Sequence, residues 1–250
     1  MNRLIFIALI MVISTNLYAN TVDKANLLIK EGKYKEGANI LFNLATKKNN
    51  PRAFYELGHL WSNGIGLKKS DKRAFQAFMK GANLGNGDAQ NSVGSFYYNG
   101  RYVKKDYEKA FHWFVKAAKN ENTYAMDSIG GMYLKGYGVE KDQDQAIRWF
   151  KIAAKHGNDH AAGNLIGIFE NIAKQGDVAA MHNLGLILTN IKGKRRDVKE
   201  GIKWYEKAAK KDFEASRKAL INIYTLGMYD FSPNKKKAEY WKSYPTNGSE

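Results

Sequence analysis

The sequence contains no cysteine and only 3 prolines in its 250 residues. Without cysteine the chain forms no disulfide bond and carries no lipid attached through a cysteine side chain. The scarcity of proline agrees with an almost wholly helical chain, because proline interrupts the hydrogen bonds of a helix. Linkers, low-complexity segments and strand-like alternation of any length are also missing. These absences favour a helical domain without covalent cross-links.

Long apolar runs are equally scarce, and the one that stands out lies at the start of the chain. Leu4 to Ile13 is unbroken apolar sequence, preceded by Arg3 and followed by small and polar residues that end in Leu-Tyr-Ala at 17–19. This layout predicts a secretory signal peptide over residues 1–19. The run is short for a membrane-spanning helix of about 20 residues, although an uncleaved anchor is the alternative. We expect an exported protein, periplasmic or secreted, without stable membrane insertion after cleavage.

The dominant feature of the remaining sequence is an internal period of 36 residues. Gly58, Gly94 and Gly130, for example, keep this spacing. A period of this length predicts an array of repeated helical pairs. The other positions that keep it are Ala53, Ala89 and Ala125; Trp61, Tyr97 and Tyr133; Gly64, Gly100 and Gly136; Leu67, Val103 and Val139; Ala74, Ala110 and Ala146; Phe78, Phe114 and Phe150; and Ala82, Ala118 and Ala154.

Each repeat is predicted to form two helices. In the second regular repeat, the spacing of apolar residues predicts a first helix over Gly87–Asn99 and a second over Tyr107–Lys119. Gly94 leaves out a side chain where the second helix crosses closely. Asp106 stands where the N-cap of the second helix belongs.

Stacking of such hairpins is needed because one hairpin cannot bury both of its apolar sides alone. Trp113 and Phe114 are predicted to lie in the buried stripe of the second helix. The predicted fold is an all-α solenoid, a superhelix of helix pairs, over residues 20–243. Its repeats are placed at 23–48, 51–86, 87–122, 123–158, 177–211 and 212–243, with 159–175 as one helix or a truncated pair and 244–250 as a frayed tail.

The repeat resembles a known family. The pattern A-x-x-x-L-G-x-x-Y-x-x-G-x-G-V-x-x-D-x-x-K-A-x-x-W-x-x-K-A-A, best matched at Ala125 to Ala154 and Ala89 to Ala118, is similar to the Sel-1-like repeat, a relative of the tetratricopeptide repeat. The resemblance covers about 50–243, with 23–48 as a looser fit. It implies a right-handed superhelix and a role as an adaptor in protein complexes, often exported in bacteria. Some members are similar to immunity proteins that neutralise lipase toxins in the periplasm, and cysteine-rich members are described as penicillin-binding, an activity not transferred to a chain without cysteine.

Motifs for catalysis or metal binding are weak. His156 and His160 are four residues apart, but they flank a repeat boundary, which argues against a shared helical face and a metal site. No phosphate-binding glycine loop occurs, and the one S-x-x-K, at Ser232 to Lys235, lacks the companion motifs of penicillin-recognising enzymes. We therefore predict no catalytic, cofactor-binding or metal-binding residues and a protein that is not an enzyme.

Positive charge is in excess, since 40 Lys and Arg residues face 24 Asp and Glu residues, a net charge of +16. Part of the excess recurs at one repeat position, which we call the basic edge: Lys69, Lys105, Lys141 and Arg196. Stacked repeats would place these residues about 10 Å apart, near the Debye length of about 8 Å, so that their fields add. The alternative is that they only solvate a turn. If the edge binds, an acidic protein face or anionic envelope lipid fits an exported protein better than nucleic acid does.

A second candidate surface is the side of the first helices that faces away from the core. By similarity to tetratricopeptide arrays, these helices line a concave face. Tyrosine, arginine and short polar residues suit a protein-binding groove, whereas the alternative is an ordinary solvated helix face. The residues assigned to the concave face are Arg52, Tyr55, His59, Asp88, Asn91, Ser95, Tyr98, Tyr124, Asp127 and His182.

The favoured hypothesis for function is a non-enzymatic, exported scaffold that mediates protein–protein interaction. A narrower version is an immunity protein that neutralises a periplasm-acting lipase toxin. The rival from another class is an envelope hydrolase of the penicillin-binding or β-lactamase-like kind. The expected partner is a protein, either an acidic one or a toxin, and not nucleic acid.

Overall fold

The computed structural model describes residues 21–191, 195–229 and 231–245. Within these ranges the chain forms 13 α-helices and no strand. The predicted signal peptide lies outside the described residues. In chain order the helices are α1 Val22–Lys30, α2 Tyr34–Lys48, α3 Pro51–Asn63, α4 Asp71–Asn83, α5 Gly87–Asn99, α6 Tyr107–Lys119, α7 Thr123–Lys135, α8 Gln143–Lys155, α9 Asp159–Lys174, α10 Val178–Asn190, α11 Val198–Ala209, α12 Glu214–Leu226 and α13 Lys235–Lys242.

The chain divides into two compact units, Met1–Asp142 and Gln143–Glu250. The first unit contains α1 to α7 and the second contains α8 to α13. Inside each unit every helix packs against the next one along the chain, and the hairpins α3/α4, α5/α6 and α10/α11 pack most extensively. The prediction of an all-α fold built from repeated helical hairpins is confirmed.

The bounds of the helices follow from capping residues. α5 and α6 span Gly87–Asn99 and Tyr107–Lys119, as the spacing of apolar residues predicts. Oδ1 of Asp106 accepts a hydrogen bond from the backbone N–H of Lys109 at 2.9 Å, so the predicted N-cap of α6 is confirmed. Gly100 ends α5 with a φ of 69°, a left-handed conformation that glycine adopts without steric cost.

Asparagines provide a second set of caps, at the start of the first helices. Asn50, Asn86 and Asn122 recur at the repeat spacing, and each side chain accepts a hydrogen bond from the backbone N–H three residues further on, at 2.7 to 2.9 Å. Asn158 does the same in the second unit. Asparagine is among the best N-cap residues. Its recurrence every 36 residues therefore predicts where the first helices begin, independently of the spacing of apolar residues.

Residues 159–175 form a single helix, α9, rather than a truncated pair. The helix runs over Asp159–Lys174 without interruption. The regular pattern resumes directly after it with the hairpin α10/α11. Asp177 and Asp197 cap these two helices, accepting backbone hydrogen bonds at 2.6 and 3.0 Å.

The recurring phenylalanine of the second helix is a core residue in every regular repeat. Phe78 and Phe114 in the first unit and Phe150 in the second are at most 3% exposed. Trp113, also predicted to be core, is only half-buried, and the Lys116 ammonium lies 4.4 Å from its ring centroid. The physical reason is helix geometry, because adjacent residues point about 100° apart and only one of the two faces α5 squarely.

The last hairpin, α12/α13, closes the second unit. Trp241 is 3% exposed and belongs to a core cluster with Tyr224 and Ala238. Tyr244, which the sequence assigns to a frayed tail, packs against Trp241 with ring centroids 5.1 Å apart. Ordered packing thus extends past the predicted end of the solenoid at residue 243.

Candidate protein-binding surfaces

The first-helix face is the solvent side of α3, α5 and α7 in the first unit. α3 contacts α5 directly. Asn122, which caps α7, donates a hydrogen bond from its side-chain amide to Oδ1 of Asp88 on α5 at 2.8 Å. These contacts join side chains from different repeats into one surface. The predicted residues in this unit are Arg52, Tyr55, His59, Asp88, Asn91, Ser95, Tyr98, Tyr124 and Asp127.

Arg52 is held at one end of the first-helix face by two carboxylates. Its guanidinium nitrogens lie 2.8 Å from Oδ1 of Asp23 and 3.9 Å from Oε1 of Glu56. Glu56 also accepts a hydrogen bond from the side-chain amide of Asn26 at 2.9 Å. Exposed ion pairs of this kind contribute little stability. The network therefore matters mainly for orientation, because it joins α3 to α1 and positions the guanidinium.

Tyr124 and Tyr55 lie close together on the first-helix face but differ in exposure. Tyr124 is 68% exposed. Tyr55 is half-buried, with its ring centroid 6.0 Å from that of Phe78. Burial raises the pKa of Tyr55, and the neighbouring Asp88 carboxylate raises it further. Tyr124 is therefore the tyrosine with surface available to a partner, while Tyr55 packs against the core.

Tyr98 is not the exposed side chain that its repeat position predicts. Its ring centroid lies 5.2 Å from that of Tyr107, 6.2 Å from that of Tyr137 and 6.5 Å from that of Phe114. Tyr107 and Tyr137 are themselves stacked, with centroids 4.6 Å apart. Because Tyr137 comes from the turn after α7, this cluster fastens successive repeats together. Tyr98 contributes to stability, and its replacement would disturb packing.

His59, Asn91 and Asp127 add polar groups to the first-helix face. His59 is exposed and its ring centroid lies 6.4 Å from that of Tyr55. Asn91 and Asp127 are half-buried. Oδ1 of Asn91 is buried and accepts no hydrogen bond from the described residues. A buried acceptor left without a donor costs free energy.

His182 lies in the second unit and is a packing residue. Its Nδ1 is 2.8 Å from Oγ of Ser216, which is fully buried. Its ring centroid lies 5.4 Å from that of Tyr205 and 5.1 Å from that of Phe213. Burial lowers the pKa of His182. The repeat pattern assigned this side chain to an open face, but α12 and its preceding turn cover it.

The three lysines of the basic edge occupy equivalent places in the turns of the first unit. Each lysine packs on the glycine that ends the preceding first helix. A Cβ atom added to that glycine would lie 3.1 to 3.3 Å from the Cβ atom of the lysine, in the pairs Gly64 and Lys69, Gly100 and Lys105, and Gly136 and Lys141. All three side chains are exposed. None of them forms an ion pair with another described residue. Their stems thus pack on a turn while their ammonium groups stay available to an anionic partner.

Arg196, the fourth member of the basic edge, has different surroundings in the second unit. Its Nε donates a hydrogen bond to the carbonyl oxygen of Thr189 at 3.2 Å, and its guanidinium lies 5.6 Å from the ring centroid of Tyr229. α10 is followed by Ile191 in an extended conformation instead of a left-handed glycine. Arg196 is therefore engaged within its own unit.

The described helices offer neither a cluster of metal ligands nor a membrane-spanning segment. Across the described residues, no group of three or more His, Asp or Glu side chains could hold a metal ion. His156 follows α8 and His160 lies in the first turn of α9, so the two do not share a helical face. None of the helices in the described ranges is long and apolar enough to cross a membrane.

The repeats match a known family over more than half of the chain. The Sel1 repeat is found at residues 51–86, 87–122, 123–158 and 178–213. The chain belongs to the Sel1 repeat family. Members of this family are generally non-catalytic scaffolds for protein–protein interaction. The fourth match begins at α10, as expected if α9 interrupts the regular spacing.

Two solved structures with TM-scores above 0.5 share the fold of this chain. A Sel1 repeat protein from Oxalobacter formigenes is 29% identical, with 89% of this chain and 97% of that chain covered and a TM-score of 0.55. The protective antigen c5321 of uropathogenic Escherichia coli is 25% identical, with a TM-score of 0.54. The match covers 86% of this Sel1 chain and 50% of the antigen. Immunity protein Pa5087 from Pseudomonas aeruginosa is 16% identical over 88% of this chain and 80% of its own, with a TM-score of 0.40. No curated protein matches the chain.

Proposed function

We propose that this Sel1 repeat protein is an exported, non-enzymatic scaffold that binds another protein through the first-helix face of its first unit. The observation that carries the proposal is the arrangement around Tyr124. This tyrosine is 68% exposed and stands on α7 two residues after Asn122, whose side chain is hydrogen-bonded to Asp88 on α5. An exposed aromatic side chain on a rigid base is typical of a residue that dominates a protein interface.

An oriented arginine on the same face supports the same function. Arg52 is held in position by Asp23 and Glu56. An arginine with a fixed guanidinium suits recognition of a carboxylate. A protein partner that supplies a carboxylate to Arg52 would match the face. Export is part of the proposal and rests on Leu4 to Ile13 and the residues that follow it.

The test is capture of partners from the envelope of the native host with immobilised wild-type protein and two variants. Tyr124→Ala combined with His59→Ala removes two exposed side chains of the first-helix face. Tyr240→Ala is the matched control, because Tyr240 is 51% exposed but lies on α13 in the second unit. Partners that require the first-helix face are expected to be lost with the double variant and kept with the control. Equal recovery with all three proteins would contradict the proposal.

A toxin as the partner is a narrower form of the same proposal and rests on the family resemblance. It predicts that the captured protein is a lipase and that the Sel1 protein inhibits it at equal molar amounts. The hydrolase alternative makes the opposite prediction, that the purified protein alone hydrolyses a chromogenic β-lactam. We expect no hydrolysis.

A further inference from the structure

A second candidate site lies between the second helices α2 and α4, apart from the first-helix face. A cleft of about 160 Å³ opens there, with its floor on α3. The cleft continues into a more open depression of about 420 Å³ between the ends of α2 and α4. Phe54, Thr46 and Lys80 border both spaces.

The inside of the cleft is apolar and largely aromatic. Phe54, Leu57 and Ala77 form buried surface in it, and the rings of Phe42 and Trp61 meet edge to face with centroids 5.5 Å apart. An apolar cavity of about 150 Å³ is large enough to take up benzene. The cleft therefore has room for one aromatic ring, which would extend the edge-to-face contact of the two host rings.

The mouth of the cleft is positively charged. Arg73 and Lys80 line it, and both are exposed. Lys47 and Lys48 follow in the last turn of α2. None of these four side chains forms an ion pair with another described residue, whereas Asp71, the acidic residue in the first turn of α4, is bound by Arg101. The charge around the opening is therefore complementary to an acidic ligand.

The corresponding place in the next repeat is polar. Gln90 stands 36 residues after Phe54 and is 5% exposed. Its Nε2 donates to the carbonyl oxygen of Ala82 at 3.1 Å, and its Oε1 accepts from Nδ2 of Asn120 at 2.8 Å. Asn120 in turn stands 36 residues after Leu84. A hydrogen-bonded polar pair therefore joins α4 and the end of α6 across α5.

Around the cleft this polar pair is replaced by an apolar one. Phe54 takes the place of Gln90, and Leu84 takes the place of Asn120. Both line the open depression, where Leu84 is 47% exposed. Exposure of the Leu84 side chain to water is unfavourable, and a bound apolar group that covers it would remove this apolar surface from water. At this pair the site is therefore apolar where the next repeat is polar.

We propose that this cleft binds an acidic segment of a partner protein and buries one aromatic side chain of that segment. The ring enters between Phe42, Phe54 and Trp61. The carboxylates beside it meet Arg73 and Lys80. The site is separate from the first-helix face, so the two can be tested and can fail independently.

The test uses a fluorescein-labelled heptapeptide with a central phenylalanine and three glutamates on each side, and measures its fluorescence anisotropy with the full purified chain. A second peptide with alanine in the centre isolates the contribution of the ring. The phenylalanine peptide is expected to bind, and the alanine peptide to bind at least about tenfold more weakly, because burial of the ring is lost. Failure of the phenylalanine peptide to bind at about 1 mM, or equal affinity for both peptides, would overturn the proposal.

Three variants locate the binding. Phe54→Gln with Leu84→Asn copies the pair of the next repeat and should remove the preference for phenylalanine. Arg73→Gln with Lys80→Gln should weaken binding and flatten its dependence on salt, whereas Lys116→Gln with Lys119→Gln, the same change of charge on α6, should leave it unaltered. Circular dichroism and thermal unfolding check that each variant is folded.

The outcomes separate the possible occupants. Unchanged affinity in the Phe54 and Leu84 double variant would place the peptide elsewhere and refute the site. Binding of phosphatidylglycerol vesicles that depends on Phe54 and Leu84, without binding of the peptide, would make the occupant a lipid and the peptide assignment wrong. Tyr124→Ala should leave the peptide affinity unchanged, because that residue belongs to the first-helix face.

Discussion

A Cβ atom placed on Gly94 would lie 2.7 Å from the ring of Phe114, closer than real contacts of this kind allow. The same relationship recurs in the preceding repeat, where a Cβ on Gly58 would lie 2.5 Å from the ring of Phe78. Each pair marks the crossing of the two helices of a hairpin. The close approach explains a glycine in the middle of a helix, where it costs about 1 kcal/mol relative to alanine.

Gly94→Ala is therefore expected to destabilise the protein by about 1–3 kcal/mol, because the added methyl group displaces the Phe114 ring. The free energy of unfolding in urea measures the effect. Gly131→Ala is the control, since Gly131 lies in the helix α7 and a Cβ there would meet nothing within 4 Å. This control should stabilise the protein by about 0.5–1 kcal/mol. If Gly94→Ala and Gly131→Ala changed the free energy of unfolding equally, the close approach of Gly94 to Phe114 would be contradicted.

Phe114→Ala is expected to cost about 3–5 kcal/mol, because the phenylalanine is 2% exposed and its removal leaves a cavity. Trp113→Ala should cost clearly less, since the indole is only half-buried and part of its contact is with the flexible Lys116 side chain. Urea unfolding of both variants checks the order. If Trp113→Ala lowered the free energy of unfolding more than Phe114→Ala does, the sequence-based prediction that Trp113 is a core residue would be right.

The fold was predictable because each position of the repeat has one physical requirement. Gly94 must be small, Asp106 must cap α6 and Phe114 must fill the crossing, so a period of 36 residues predicts the bounds of α5 and α6 correctly. The single helix α9 could not be decided in this way. It has no turn residues at the expected place, and the absence of a turn signal fits either a long helix or a distorted pair.

The candidate surfaces were less predictable because exposure depends on side chains from other helices. Tyr98 and Tyr124 both point away from the buried stripe of their own helices. Tyr98 is nevertheless packed, since Tyr137 from a later turn lies over it. Likewise, the contrast between Phe54 and Gln90 is visible in the aligned repeats, but the hydrogen bonds of Gln90 and the opening beside Phe54 require the packed structure.

The stability of the protein is expected to fall on mild acidification because of His182. Burial against Tyr205 and Phe213 lowers its pKa below the ordinary value of about 6.5. Between the folded and unfolded pKa values the unfolded chain binds more protons, so the stabilisation is complete above about pH 6.5 and is lost as the pH falls below it.

Urea unfolding of wild-type protein between about pH 7.5 and 5.5 measures this loss. His182→Asn keeps a hydrogen-bonding group near Ser216 without a titrating ring and should reduce the slope of stability against pH. His156→Asn replaces an exposed histidine of the same unit and should leave the slope unchanged. If the free energy of unfolding of wild type and of His182→Asn depended on pH with the same slope, a group other than His182 would be responsible for the loss of stability.

Export predicts a defined amino terminus. If residues 1–19 are removed as a signal peptide, the mature protein begins at Asn20 and its net charge falls from +16 to +15, since Arg3 is the only charged residue lost. Mass spectrometry of protein isolated from the envelope fraction of the native host measures the terminus. Full-length protein in the cytoplasm would contradict the prediction, and full-length protein in the membrane would favour the uncleaved anchor.

The basic edge and the first-helix face should leave different kinetic signatures on binding to the captured partner. Replacing Lys69, Lys105 and Lys141 by glutamine removes three exposed charges but keeps the Cβ atoms that pack on the turns. This variant should associate more slowly and show a flatter dependence on salt, with an unchanged dissociation rate, because exposed charges mainly steer the encounter. Surface plasmon resonance at several salt concentrations separates the two rates.

Tyr124→Ala should have the opposite effect on the same partner. A dominant interface residue is worth about 2 kcal/mol or more, which corresponds to roughly thirtyfold faster dissociation when the ring is removed. Association should change little, since the net charge is unaltered and the residue is exposed in the free protein. If the glutamine variant instead abolishes binding while Tyr124→Ala binds as wild type does, the partner sits on the basic edge, and the assignment of binding to the first-helix face is wrong.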